Sequence, residues 1–164
     1  MKKILIIEDA RNIRMALEDD FKFEGYKVET ASTGPEGLEK ALGLDLDIII
    51  LDLMLPELNG LEICKEIRKR DIGTPIIMLT SKGQEFDKVL GLELGADDYI
   101  TKPFDIRELK VRVKNLIEQR RKLREKFIAD TNFAVGNMAF TSVDKNFINR
   151  LTNIISDHIS DSDF

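Results

Sequence analysis

The amino-acid sequence predicts an α/β protein: a doubly wound parallel sheet of five strands with helices on both faces, followed by a helical tail. Continuous apolar runs such as Ile48–Leu51 and Ile76–Leu79 are typical of strands that are buried on both faces. Amphipathic stretches with helical spacing stand between these runs, and glycine or proline marks several of the junctions. Strands that alternate with helices predict a parallel sheet that helices cover on both sides.

The first elements alternate in the same way. Ile4–Ile7 predicts the first strand, and Ile13, Leu17 and Phe21 keep the spacing of a helix that Gly25 ends. The next two elements are a strand over residues 26–31 and a helix over residues 34–42. Ile48–Leu51 is the most hydrophobic run of the chain, so we expect it to be the central strand.

The second half continues this order after residues 56–60 break the chain. Leu61, Cys64 and Ile67 predict a third helix, and Pro75 opens the fourth strand. The elements predicted after it are a helix over residues 84–94, a strand over Tyr99–Thr101, and a helix that Asp105 caps and that runs towards Arg124.

Composition excludes several classes of protein. The chain has 164 residues, is 43% apolar and 34% charged, and therefore has the content of a globular core. Its net charge of −5 argues against binding of a nucleic-acid backbone by this stretch. One cysteine, Cys64, and one histidine, His158, argue against a disulfide framework and a zinc site. Glu8 and Asp9 interrupt the first apolar run, so we expect neither a signal peptide nor a membrane span, and a cytoplasmic protein.

Polar residues follow the strands where ligands of open parallel sheets bind. Glu8 and Asp9 follow the first strand, Asp52 the third, Thr80 the fourth and Lys102 the fifth. Carboxylates that converge repel one another unless a cation neutralises them, and a hard divalent ion such as Mg²⁺ takes oxygen ligands of this kind. A lysine and a hydroxyl beside them suit an incoming anion, so the arrangement predicts phosphoryl chemistry at an aspartate.

Four segments resemble the CheY-like receiver domain of bacterial response regulators. They are IIEDA, IIILDLMLPELNG, PIIMLTSKG and GADDYITKPF, which stand in the order and spacing of that family over residues 1–122. The resemblance closely follows receivers of the OmpR/PhoB type. The resemblance implies a flavodoxin-like fold with strand order 2-1-3-4-5.

The resemblance also implies the roles of individual residues. Asp52 would accept a phosphoryl group from a sensor histidine kinase, with Mg²⁺ bound by Asp9, Asp52 and the backbone oxygen of Met54. Glu8 would act through a metal-bound water, in a place where aspartate is commoner. Lys102 would pair with the phosphoryl oxygens, and Thr80 would move to bond them. The switch residue Tyr99 would then turn inward, and the bond between Lys102 and Pro103 would be cis.

Charged residues near the C-terminal end of the receiver match the dimer face of OmpR-like proteins, formed by the fourth helix, fifth strand and fifth helix. The resemblance implies a phosphorylation-dependent homodimer with the pairs Lys88–Glu108, Asp97–Lys114 and Asp98–Arg112. An ordinary solvated charged face is the alternative, because exposed ion pairs stabilise little.

The last forty or so residues differ in character from the receiver. We expect residues 1–122 to be the receiver, residues 123–142 an extended helix end and linker, and residues 143–164 an amphipathic tail helix. The tail resembles the lead-in to an AraC-type DNA-binding domain, so we expect the start of a truncated output domain through which the protein would bind DNA and control transcription. The alternative is a stand-alone receiver that acts through protein–protein interaction.

Two other functions occur on related folds, and each needs residues that differ from those of this sequence. An aspartyl-phosphate phosphatase of the haloacid dehalogenase type needs a second aspartate two residues after the nucleophile, and Met54 stands there. A flavodoxin-like carrier of flavin mononucleotide needs a loop that cradles phosphate, whereas Glu8 and Asp9 would repel it. We therefore expect a switch that only phosphorylates and dephosphorylates itself, and not an enzyme that turns over a metabolite.

Overall fold

The structure is a computed structural model that describes residues 1–70, 72–81 and 93–137, with side chains as far as residue 128. The chain divides into two units after Glu118, and the first unit holds all the strands described. The elements are β1 (Lys3–Ile7), α1 (Arg11–Phe23), β2 (Lys27–Ala31), α2 (Gly34–Gly43), β3 (Ile48–Asp52), α3 (Gly60–Lys69), β4 (Ile76–Ser81), β5 (Asp98–Lys102) and α4 (Ile106–Asn137).

The five strands form one parallel sheet in the order β2-β1-β3-β4-β5. This confirms the predicted fold class, and β3 lies at the centre, as its continuous apolar run indicated. Every residue of β3 is buried, because neighbouring strands flank it and helices cover both of its faces.

Alternate residues of the strands fill two separate cores. Ile49 and Leu51 pack in the core that contains Ile63 and Ile67 of α3, together with residues of α2. The intervening residues of the same strand, such as Ile50, pack in the opposite core with residues of α1 and α4. The period of two along the strands therefore places a helix layer on each face and leaves the carboxyl edge of the sheet open for polar residues.

The helices begin at the polar residues expected of N-caps. Thr33 accepts a hydrogen bond from Glu36 N at the start of α2, and Asp105 accepts one from Arg107 N at the start of α4. Asn59 forms a reciprocal capping box with Glu62 at the start of α3. Among the described residues, no helix combines the length and apolar composition needed to cross a membrane.

The C-terminal helix differs from its expected length. α4 continues beyond Arg124 to Asn137, well into the segment over residues 123–142 that the sequence predicts to be an extended helix end and linker. No proline interrupts residues 106–137, and Gly136–Asn137 supplies the first strong stop signal. Most of the predicted helix over residues 84–94 and the whole predicted tail helix over 143–164 lie outside the described residues, and the boundaries at 122 and 142 stay predictions.

Candidate functional site

Four neighbouring strands carry the candidate site at their carboxyl ends. Glu8 directly follows β1, Asp52 is the last residue of β3, and Lys102 is the last residue of β5. β4 supplies Thr80, one residue beyond Leu79, which pairs with Asp52 in the sheet register. The topology therefore brings residues that are far apart in sequence to one edge, as predicted.

The Lys102 ammonium joins two carboxylates. Its Nζ lies 2.7 Å from Glu8 Oε2 and 2.8 Å from Asp52 Oδ2. Solvent reaches 19% of the Lys102 side chain, 5% of that of Asp52 and none of that of Glu8. Two buried carboxylates thus share one cation, which offsets part of their repulsion and of the cost of removing them from water.

The environment shifts the pKa values of two of these groups. Burial raises the pKa of the Glu8 carboxyl, the hydrogen bond from Lys102 opposes that shift, and the charge of Asp52 adds to it. Burial alone would lower the pKa of the Lys102 ammonium, but its hydrogen bonds to Asp52 and Glu8 outweigh burial, so that pKa is raised. Lys102 is therefore protonated throughout the physiological range.

Asp9 completes a set of oxygen ligands. One carboxylate oxygen from each of Glu8, Asp9 and Asp52 lies within 4.8 Å of the other two. These are hard oxygen donors, and Asp9 is exposed, so the set opens to water on one side. Three carboxylates and the Lys102 ammonium leave two negative charges, which a dication would neutralise. The donor set therefore fits Mg²⁺, which binds one or two carboxylates and keeps several waters.

The other predicted site residues lie on β4, on β5 or just after β3. Thr80 is buried, and its hydroxyl donates a hydrogen bond of 3.2 Å to the Ser81 carbonyl. Met54 is 60% exposed, and its backbone N–H donates to Asp52 Oδ1 at 3.3 Å. Tyr99 is 36% exposed and pairs with Met78 in the sheet. The bond between Lys102 and Pro103 is cis.

Gly60 approaches the end of β3 more closely than any side chain would permit. Its N–H donates to the Leu53 carbonyl at 3.0 Å, and a Cβ on Gly60 would overlap the Asp52 carbonyl oxygen. The turn between β3 and α3 is thus held against the backbone of Asp52. The sequence predicts residues 56–60 only as a break between elements, because the close approach of Gly60 depends on tertiary structure.

Arg14 is a residue of the site region that the sequence analysis missed. Its Nη1 donates hydrogen bonds to the backbone oxygens of Glu8, at 2.6 Å, and Asp9, at 3.0 Å. The only signal in the sequence is a basic residue near the start of a helix, where acidic residues are usually preferred.

The residues predicted for a dimer face make bonds within one chain. Arg112 Nη1 lies 2.9 Å and 2.7 Å from the two carboxylate oxygens of Asp98, and Arg112 Nη2 lies 2.7 Å from Glu108 Oε1. These two bonding partners raise the pKa of the Arg112 guanidinium further. Two of the predicted interface charges are therefore already paired with Arg112 in the isolated chain.

Asp97 is also engaged within the chain. Its Oδ2 lies 2.9 Å from Arg68 Nη2 and accepts a hydrogen bond of 2.8 Å from Ile76 N. Lys114 is exposed on α4, whereas Lys88 lies outside the described residues. The pairs predicted across a dimer stay predictions: Lys88 with Glu108, Asp97 with Lys114, and Asp98 with Arg112.

This fold, with carboxylates and a lysine at the carboxyl edge of the sheet, defines a receiver domain. The chain belongs to the response regulator receiver domain family, which matches residues 4–114.

A transcriptional regulatory protein and a response regulator are among its relatives. The chain is 52% identical over 118 residues to the alkaline phosphatase synthesis transcriptional regulatory protein PhoP of Bacillus subtilis, covering 72% of this chain and 49% of PhoP. It is 50% identical over 132 residues to the response regulator ArlR of Staphylococcus aureus, covering 80% of this chain and 58% of ArlR. The chain thus spans about half the length of these relatives.

Solved structures agree with this assignment. The receiver domain of the Francisella response regulator 1452 is similar with a TM-score of 0.70 and 35% identity, covering 73% of this chain and 99% of that one. The receiver domain of the TMAO respiratory system response regulator TorR is similar with a TM-score of 0.68 and 39% identity, covering 73% and 98% of the two chains. Residues 1–122, for which the resemblance was stated, include the whole of the matched range.

Proposed function

We propose that this receiver is a phosphorylation-dependent switch in which Asp52 accepts a phosphoryl group from a sensor histidine kinase in the presence of Mg²⁺. One observation carries the proposal: the Lys102 ammonium is held between the carboxylates of Glu8 and Asp52, 2.7 Å and 2.8 Å away, at the carboxyl edge of the sheet. Carboxylates are rarely buried unless they are paired, and a fixed cation beside them suits a reaction that develops negative charge.

The transfer would convert the Asp52 carboxylate into an acyl phosphate. An Asp52 oxygen forms the new bond to phosphorus, while the bond between phosphorus and the kinase histidine breaks and the histidine nitrogen keeps the electron pair. Lys102 is already placed at Asp52 and would bond the incoming phosphoryl oxygens. Asp9, Asp52 and the backbone oxygen of Met54 would hold Mg²⁺ directly, and Glu8 would hold it through a metal-bound water; the ion supplies charge neutralisation when bound.

The signal would pass from Asp52 to Thr80 on β4 and then to Tyr99 on β5. Thr80 would exchange its present bond to the Ser81 carbonyl for one to a phosphoryl oxygen, and Tyr99 would then turn inward from its half-exposed position. A homodimer would form through the face that contains Asp98 and Arg112. Since these residues are paired within the chain, dimerisation would exchange or extend existing ion pairs, which favours specificity over affinity.

The output would be control of transcription through a DNA-binding domain outside these residues. PhoP is named as a transcriptional regulatory protein, and the chain covers 49% of its length. We also propose that the receiver turns over no metabolite. Met54 occupies the place where a phosphatase of the haloacid dehalogenase type carries its second aspartate, so a general acid is missing there.

Phosphoryl acceptance can be tested with beryllofluoride, which forms a stable analogue of the acyl phosphate on aspartate. The wild type with Mg²⁺ should give a bound ¹⁹F NMR signal, and the Asp52→Asn variant should give none. Asp19→Asn is the matched control, because Asp19 is an exposed aspartate on α1 and its variant should keep the signal. A bound signal in Asp52→Asn, or its absence in the wild type, would overturn the proposal.

A further inference from the structure

Helix α1 begins without the usual stabilising residues. Its N-cap is Ala10, which has no side-chain oxygen, and its first turn contains no acidic residue. Arg11 and Arg14 lie there instead, although cations near a helix N-terminus are unfavourable. Departures of this kind are expected where a residue serves a purpose other than helix stability.

The Arg14 side chain ties together the loop between β1 and α1. A single nitrogen, Nη1, donates to the backbone oxygens of Glu8 and Asp9 at 2.6 Å and 3.0 Å. Glu8 Oε1 in turn accepts a hydrogen bond of 3.2 Å from Ala10 N. The two peptide units that carry the acidic side chains are thus fixed to the helix that follows them.

We propose that Arg14 is a positioning residue for the metal-binding loop: it orients the carboxylates of Glu8 and Asp9 by holding the carbonyls of the same two residues. This inference rests on the proposed function, since it assumes that Mg²⁺ binds these carboxylates. Groups that hold a metal ligand in place lower the entropy lost on binding, and their removal weakens metal affinity even though they never touch the ion.

Positioning and simple electrostatics predict effects of opposite sign. Arg14 is a cation near the acidic cluster, so its charge alone opposes the approach of a dication, and neutralising it should tighten Mg²⁺ binding. Loss of the two carbonyl bonds should instead loosen the loop and weaken Mg²⁺ binding. The sign of the change therefore identifies which effect of Arg14 dominates.

Arg11 supplies a matched control for charge. It precedes Arg14 on the same helix turn and is exposed, and the structure shows no hydrogen bond from it to the described loop residues 8–10. The Arg11→Met variant removes one positive charge from the same region without releasing the loop. Methionine is a good helix former and keeps the apolar stem, so both Arg→Met variants preserve the helix.

The experiment is a Mg²⁺ titration of the unphosphorylated chain, followed by the amide signals of Ala10 and Met54 in ¹H–¹⁵N NMR spectra. Arg14→Met should weaken Mg²⁺ binding about tenfold, the size typical for loss of a group that supports a metal ligand. Arg11→Met should leave the affinity unchanged or raise it. Arg14→Lys keeps a terminal nitrogen donor and should recover part of the affinity lost in Arg14→Met.

The outcomes separate this role from the metal site itself. Wild-type or tighter Mg²⁺ binding in Arg14→Met, or equal weakening in Arg11→Met, would overturn the role of Arg14 but leave the metal site standing. No Mg²⁺ binding by the wild type would overturn the metal site and this role with it. Signal dispersion in the same spectra reports folding, and Arg14→Gln replaces Arg14→Met should the latter unfold.

Discussion

Lys102 Nζ donates a hydrogen bond of 2.7 Å to Glu8 Oε2, an oxygen on a side chain with no exposed surface. The same ammonium bonds Asp52 Oδ2 at 2.8 Å. Without Lys102, two carboxylates would remain buried, and no other cation of the described residues is paired with either side chain. Lys102 therefore stabilises the chain before any phosphoryl group arrives, in addition to the role proposed for it in phosphoryl transfer.

We predict that Lys102→Met destabilises the metal-free chain. Removal of one partner from a buried charge cluster should lower the free energy of unfolding by about 3–5 kcal/mol. Mg²⁺ should recover part of this loss, because the dication takes over neutralisation of the carboxylates. Urea denaturation with a chelator and then with excess Mg²⁺ measures both effects.

Lys110→Met is the control for this prediction. Lys110 also bonds two carboxylates, Asp20 Oδ1 at 2.9 Å and Glu24 Oε1 at 3.2 Å, but both of these side chains are 40% exposed or more. Water can solvate them once Lys110 is gone, so stability should change little and should not respond to Mg²⁺. Equal losses of unfolding free energy in the two variants would contradict the prediction that burial of the carboxylates makes Lys102 more important for stability.

We predict that Gly60→Ala disturbs the end of β3. A Cβ at Gly60 would overlap the Asp52 carbonyl oxygen and lie 2.9 Å from Leu53 Cα, and backbone atoms cannot move aside cheaply. Stability should fall by about 1–3 kcal/mol, as for overpacked cores, and beryllofluoride binding should weaken. Gly43→Ala is the control, since no atom lies within 4 Å of its Cβ position. A free energy of unfolding equal to that of the wild type in Gly60→Ala would refute the prediction.

The sequence predicts the sheet and the site edge well because both follow from local patterns. Continuous apolar runs identify the buried strands, and the rule that ligands bind at the carboxyl ends of strands places Asp52 and Lys102 together. The predicted convergence is confirmed by the bonds of Lys102 to Glu8 and Asp52. That one ammonium bonds both carboxylates at once is a structural finding beyond the pattern.

Other features depend on loop paths that no pattern reports. The bonds of Arg14 to two backbone carbonyls depend on the path of the loop between β1 and α1. Likewise, Arg112 bonds Asp98 in the same chain because α4 passes beside the start of β5, whereas a motif shows only that both charges are present. The end of α4 at Asn137 was missed because residues 131–137 have no clear apolar period.

We predict that Cys64 is inert in the folded protein. Its thiol is fully buried, and burial raises its pKa to about 11. At pH 8 about one thiol in a thousand would be ionised, so a disulfide reagent should react slowly until the chain unfolds. As pH rises, labelling of the native chain should keep increasing beyond pH 9, where labelling of the urea-unfolded chain levels off. Equal rates for the native and unfolded chains would contradict this prediction.

We predict that Arg112→Ala weakens the activated dimer and leaves phosphoryl-analogue binding intact. Arg112 bonds Asp98 and Glu108 in one chain, so its loss removes a cation that organises both acids on the proposed dimer face. Sedimentation velocity with beryllofluoride should show dimerisation about tenfold weaker, with an unchanged ¹⁹F signal. Arg107→Ala is the control, because Arg107 pairs only with the exposed Asp105 among the described residues and should leave the dimer unaffected. Wild-type dimerisation of Arg112→Ala would exclude this face.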